Sequence, residues 1–204
     1  NYSVKVRLGE AFEKLHELDD PINWMTIGEF WNQNKTDQSI DKGDRARVTL
    51  NLVKGTSATG ATGNDREVFH FGLKADYQAD GTSGWTHLWH DEQNDGIEYI
   101  SAVEAPIEEW FTLNVSLIAG HGNEGLVRIF LTRDGQQQPE LLFEHQGPTL
   151  YPDQSESAVP GITTIQPMKL YTAGGYVCWL KRDHNDMPLD AWWDDFSLAV
   201  TEVE

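Results

Sequence analysis

Cysteine is nearly absent: Cys178 stands alone among 204 residues. No internal disulfide can form, and a cysteine-based zinc or redox centre is excluded. Long apolar runs are missing too, since nothing in the chain approaches the roughly 18 residues that a membrane-crossing helix needs. No membrane insertion is expected. Basic charge is scarce, with 15 Lys and Arg against 33 Asp and Glu, a net charge of −18. Nucleic acid is therefore not an expected partner, because its binders need a basic footprint to displace counterions. An anionic membrane surface is disfavoured on the same ground. We read the acidity as a solvated surface that promotes solubility.

What the chain does have is aromatic side chains: eight Trp, six Tyr and eight Phe. With 39% hydrophobic residues it can build a core, so global disorder is excluded. The length fits a single domain spanning 1–204. Tryptophan is a core filler, but its flat face is also a platform for the apolar face of a sugar ring. The sequence opens at Asn1 without Met and runs straight into a strand-like pattern. We read this as a processed N terminus and an extracellular or periplasmic location.

Alternation with a period of two dominates. Tyr2–Leu8 places Tyr2, Val4, Val6 and Leu8 on one face, and Arg45–Val53 sets Val48, Leu50 and Leu52 against Arg47, Thr49 and Asn51. Val68–Lys74 sets Phe69, Phe71 and Leu73 against His70, Gly72 and Lys74. Met25–Asn32, Phe111–Leu117, Leu126–Thr132, Glu140–Phe143, Met168–Thr172, Gly175–Lys181 and Asp195–Val200 complete the expected strands, separated by Gly- and Asp-rich turns. Only Gly9–Leu18 reads as helical, with Phe12, Leu15 and Leu18 on one side. The expected fold is all-β: two packed antiparallel sheets in a jelly-roll sandwich, with one short helix near the N terminus.

Four segments carry a resemblance: Ile22–Asn32, Glu109–Val115, Pro167–Thr172 and Ala191–Leu198. In pattern and order they resemble strands of concanavalin A-like β-sandwich proteins, the superfamily of legume-type lectins, laminarinases, alginate-lyase-type enzymes and many carbohydrate-binding modules. The resemblance covers most of the chain and implies a concave sheet that grips a polysaccharide. It also implies a structural Ca²⁺ near the closing strand, where Asp190, Asp194 and Asp195 would supply oxygens. The chain departs from the enzymes of that superfamily. It has no E-x-D-x-E or E-x-D-x-x-E strand of the laminarinase type. The R-x-E-L, Q-x-H and Y-x-K-A-G strands of the alginate-lyase type have only loose counterparts in Asp65–Val68, Phe69–Phe71 and Lys169–Tyr176.

Groove-facing residues follow from the alternation. If Phe30 faces the core, Ile27, Glu29 and Trp31 face away from it, as do Arg47, Thr49 and Asn51, then His70 and Lys74, then Lys169 and Tyr171. Trp31 would stack on a pyranose while Arg47, Asn51, Lys74 and Lys169 bond to hydroxyls or a carboxylate. Trp85 and Trp89, four residues apart, are expected on one face as a wall of the groove. The first functional reading is a non-catalytic carbohydrate-binding or lectin-like module. The alternative is a polysaccharide-cleaving enzyme. It would be a β-eliminating lyase with His70 and Tyr171 as base and acid, or a hydrolase with Glu29 as one of two carboxylates. His87, His90 and Asp91 form a weak H-x-x-H-D metal pattern, and Asn34 and Asn114 open glycosylation sequons.

Overall fold

The computed structural model describes residues 1–33, 44–55, 68–79, 82–89, 98–152 and 161–200. Two sheets account for its strands. One has five strands in the order β12 (Ala191–Leu198), β1 (Tyr2–Leu8), β7 (Trp110–Ile118), β8 (Leu126–Arg133) and β9 (Glu140–Gln146). The other has seven. Its path runs β10 (Thr164–Gln166), β2 (Met25–Gln33), β3 (Arg45–Val53), β4 (His70–Gln78) and β5 (Thr86–His87). Off that path, β11 (Tyr171–Thr172) also pairs with β2, and β6 (Tyr99–Glu104) pairs with β4. Every pairing between these strands is antiparallel. The two-sheet all-β sandwich expected from the alternation is the fold.

The inward faces make one hydrophobic core. Tyr2, Val4, Val6 and Leu8 of β1 are buried, and so are Val48, Leu50 and Leu52 of β3 and Phe71 and Leu73 of β4. Rings meet across the layers: Tyr2 lies 5.6 Å from Phe30, and Phe71 lies 6.0 Å from Phe111 in an edge-on contact. Helix α1 (Glu10–Leu15) closes one end of the core, with Phe12 packed edge-on against Phe69 at 5.8 Å. Its N-cap, Gly9, is needed for close approach, because a Cβ there would fall 2.1 Å from the Asp190 carboxylate.

Two expectations fail. Gly175–Lys181 is no strand; it lies within a second helix, α2 (Gly174–Asp183). Its apolar residues Tyr176, Trp179 and Leu180 recur at i, i+3 and i+4, a helical stripe that buries Leu180 and packs Tyr176 and Trp179 on the core. Asn185 and Asp186, both with positive φ, end it. The second failure is Ile27. It belongs to the core, because a bulge between Thr26 and Gly28 adds one residue to β2 and reverses the parity before Gly28.

Candidate functional site

The register of the seven-stranded sheet arranges the side chains of its outer face in rows. Residues directly opposite one another share a face. Thr164, Trp31, Arg47, Asp76 and His87 therefore form one row across five strands. Gln166, Glu29, Thr49 and Lys74 form the next. Beyond the bulge, Tyr171, Thr26, Asn51, Gly72 and Ile100 form a third. Chain segments far apart in sequence thus converge on one surface.

A cleft of about 220 Å³ opens over these rows, with Thr26, Thr49 and Asn51 on its floor, Arg47 and Lys74 beside them, and Trp24, Trp85 and Tyr171 as walls. The floor is hydrogen-bonded within itself. The Thr26 hydroxyl donates to Asn51 Oδ1 at 2.8 Å, and Asn51 Nδ2 donates to Thr49 Oγ1 at 3.3 Å. That fixes the amide, which keeps one spare acceptor site on Oδ1 and one spare N–H on Nδ2. The aromatic walls are held by ring contacts. Trp24 lies 5.3 Å from Tyr171, and Trp85 is met edge-on at 5.7 Å by Trp31, which does not itself line the cleft. The Arg47 guanidinium lies 4.0 Å from the centre of the Trp85 ring, a cation–π contact.

Beneath the cleft two carboxylates are buried. Glu29 is 1% exposed and takes bonds on both oxygens: from Arg47 Nη1 at 3.3 Å on Oε1, and from Trp31 Nε1 at 3.0 Å and Lys169 Nζ on Oε2. Asp76, 3% exposed, faces His87 Nδ1 at 3.1 Å, Arg47 Nη2 at 3.5 Å and Lys74 Nζ at 4.0 Å. Arg47 bridges the two acids, so one continuous network runs Lys169–Glu29–Arg47–Asp76–His87. Buried charges survive only when paired in this way. The network holds three cations and two indoles at defined positions along the cleft.

The expected site residues divide accordingly. Arg47, Asn51, Lys74, Trp85 and Tyr171 line the cleft, while Trp31 and Lys169 stand beside it, Trp31 against Trp85 and Lys169 between Glu29 and Tyr171. Glu29 is present but wholly engaged, so it offers no free carboxylate for glycoside hydrolysis. Trp89 is no groove wall. It is 2% exposed, donates to the Pro148 carbonyl at 2.8 Å and packs on His145. Strand β5 is only two residues long, so strand parity does not carry from Trp85 to Trp89. His70 lies on the outer side of β4, but its Nδ1 meets the Ser101 carbonyl at 3.0 Å, and it does not line the cleft. Three strand spacings, roughly 14 Å, separate its strand from that of Tyr171.

Asp190, Asp194 and Asp195 are not brought together as a three-carboxylate group. Asp190 abuts Gly9, and Asp194 Oδ1 accepts the Asp195 N–H at 2.9 Å. Among the described residues no group of three or more His, Cys, Asp and Glu is placed to hold a metal ion. The sequon at Asn34 and the metal pattern's His90 and Asp91 lie outside the described residues.

Sequence reasoning missed Asp76, the pairing of His87 with it, and the place of Trp24 and Thr26 in the cleft. Asp76 was within reach: it continues the alternation of Gly72 and Lys74 by one more step along β4. Thr26 was hidden by the bulge. Comparison with protein-family models, with curated proteins and with solved structures gives no match. Among the described residues no helix is long and apolar enough to cross a membrane.

Proposed function

We propose that this cleft recognises a polysaccharide and that the protein is a carbohydrate-binding, lectin-like sandwich of the concanavalin A-like kind, working outside the cytoplasm. One observation carries the reading: three aromatic side chains, Trp24, Tyr171 and Trp85, flank a floor of Thr26, Thr49 and Asn51 within a single cleft, and Trp31 supports Trp85 by an edge-on contact. Sugar rings present apolar C–H faces and a rim of hydroxyls. Indole and phenol rings meet the faces, while amides, hydroxyls and charged groups meet the rim. Trp85 is 37% exposed and Tyr171 55% exposed, so both offer surface to a ligand without leaving the core incomplete.

A second reading, cleavage of a uronate polymer by β-elimination, is favoured by the company Tyr171 keeps. It shares the cleft with Arg47 and Lys74. In that reaction the proton α to the sugar carboxylate leaves, the C–O bond to the departing sugar breaks, and a C=C bond forms between the two carbons. A cation would neutralise the carboxylate, and deprotonated Tyr171 would take up the proton α to it and return that proton to the departing glycosidic oxygen.

A panel of neutral and uronate-bearing oligosaccharides, titrated calorimetrically, tests the first reading. Trp85→Ala should weaken the strongest binding roughly tenfold through lost stacking, with the melting temperature nearly unchanged. Absence of binding to every saccharide by the wild type, or unaltered affinity in the variant, overturns it. Ultraviolet absorbance of an unsaturated product, present in the wild type and lost in Tyr171→Phe, would select the second reading.

A further inference from the structure

Beside the cleft lies a carboxyl group that no network absorbs. Glu98 precedes β6 and shares a face with Ile100, whose partner across the sheet is Gly72. Gly72 in turn lies opposite Asn51 on the cleft floor and two residues before Lys74 on the cleft edge. The carboxyl group occupies the room that glycine leaves. A Cβ on Gly72 would sit 3.1 Å from Glu98 Oε1 and 3.1 Å from Val53 Cγ1. Oε1 is buried and has no hydrogen-bond partner. The side chain as a whole is only partly buried, and continuing the β4–β6 register by one step sets Glu98 beside Lys74 at the cleft edge.

This is an unusual position for an acid. Glu29 and Asp76, its neighbours on the same face, are each held by cations and ring N–H groups. Among the described residues, Glu98 has none of these at bonding distance. An ionised carboxylate with a buried and unbonded oxygen is costly. Burial pushes its pKa above the usual carboxylate range; Asp76 raises it further, while Lys74 and His87 pull against the shift. These three are the charged or titratable groups bearing on it among the described residues. A neutral carboxyl group is a donor as well as an acceptor. With Oε1 buried, Oε2 is the oxygen left to carry such a donor.

We propose that Glu98 is a saccharide-contacting residue on the β6 side of the cleft, its carboxyl group donating a hydrogen bond to an acceptor oxygen of the bound sugar chain. This rests on the saccharide reading above and adds a pH dependence to it. The acceptor is a hydroxyl, ring or glycosidic oxygen in a neutral chain, or a carboxylate in a uronate chain. The donor exists below the raised pKa and disappears as the pH climbs through it, so affinity falls in that direction.

The experiment titrates cello-, laminari- and manno-hexasaccharides and oligogalacturonate and oligomannuronate hexamers into the whole protein. It is run as a pH series from about pH 5 to about pH 8. The wild type should bind its strongest ligand roughly tenfold more weakly at the higher pH, the loss of one buried hydrogen bond. Glu98→Gln, which keeps a donor but cannot ionise, should bind equally at both ends of the series. Glu98→Ala should match the high-pH wild type throughout, and Gly72→Ala should weaken low-pH binding by pushing the carboxyl group aside. Saccharide binding that is independent of pH and unchanged in Glu98→Ala overturns this proposal alone. No binding by the wild type to any of the five ligands overturns the saccharide reading and this proposal with it. Neutral and uronate arms identify the acceptor.

Discussion

The two outer faces of the sandwich use the same ingredients to different ends. On the five-stranded sheet, Lys5 pairs with Asp134 at 3.4 Å and lies 5.6 Å from the Trp110 ring, and Arg7 lies 5.3 Å from the Trp192 ring. Cations and indoles meet there too. Their acidic partners, however, stand in solvent: the Asp134 side chain is 64% exposed, and Arg128 and Glu144 form an equally open pair. On the seven-stranded sheet the acids lie beneath the cations, buried, and each takes bonds from several directions. Water screens the first kind of pair and leaves its side chains mobile. The second kind anchors Arg47, Lys169 and Trp31 from below, as a rigid supporting layer does for a binding surface. The lesson is that a patch of Trp, Arg and Lys becomes a site when its counter-charges are buried.

The sharpest way to break this comparison is to remove the Glu29 carboxylate. Glu29→Ala leaves Arg47 and Lys169 without their shared partner and the Trp31 N–H unbonded. The expected loss of stability is about 3 kcal/mol, by analogy with breaking other buried ion pairs. A urea midpoint equal to that of the wild type would show that the network contributes nothing. A smaller effect is expected from Asp76→Asn, which keeps the shape and one acceptor while removing the charge facing His87 and Arg47. We expect about 1.5 kcal/mol, read from the same denaturation curves and accompanied by weaker saccharide binding. Smallest of all, Arg128→Ala on the opposite face should cost below about 1 kcal/mol, a difference that shrinks further in high salt. If it cost as much as Glu29→Ala, the distinction between the two faces would fall.

Much of the cleft was legible before any coordinates. Trp31, Arg47, Asn51 and Lys74 share one face because β3 and the strands beside it alternate cleanly, and an alternating strand declares its own two sides. Each misreading marks a place where the alternation was interrupted or borrowed. The bulge at Thr26–Gly28 sent Ile27 inward and Thr26 outward. Trp85 and Trp89 looked equivalent, but the strand that would have kept them so ends at His87. Gly175–Lys181 mixes apolar and polar residues in a way that fits a strand about as well as a helix, and packing of Trp179 and Leu180 on the core chose the helix. Asp76 and Glu98 were invisible as a pair of contrasting acids. Nothing in their local sequence says that one would be met by His87 and Arg47 and the other by the bare backbone of Gly72.

By itself the sequence determined that this protein would be an acidic β-sandwich without disulfides, with polar and aromatic residues on one side of several strands. Those properties follow from composition and a two-residue period, which are local. Only tertiary structure decided that β3 lies between β2 and β4, that Glu29 shares a cation with Asp76, and that Lys169 arrives from 140 residues away to complete the network. Strand neighbours are chosen by the burial of whole faces. Every side chain on the far face is then brought to a partner that its own stretch of chain never specified.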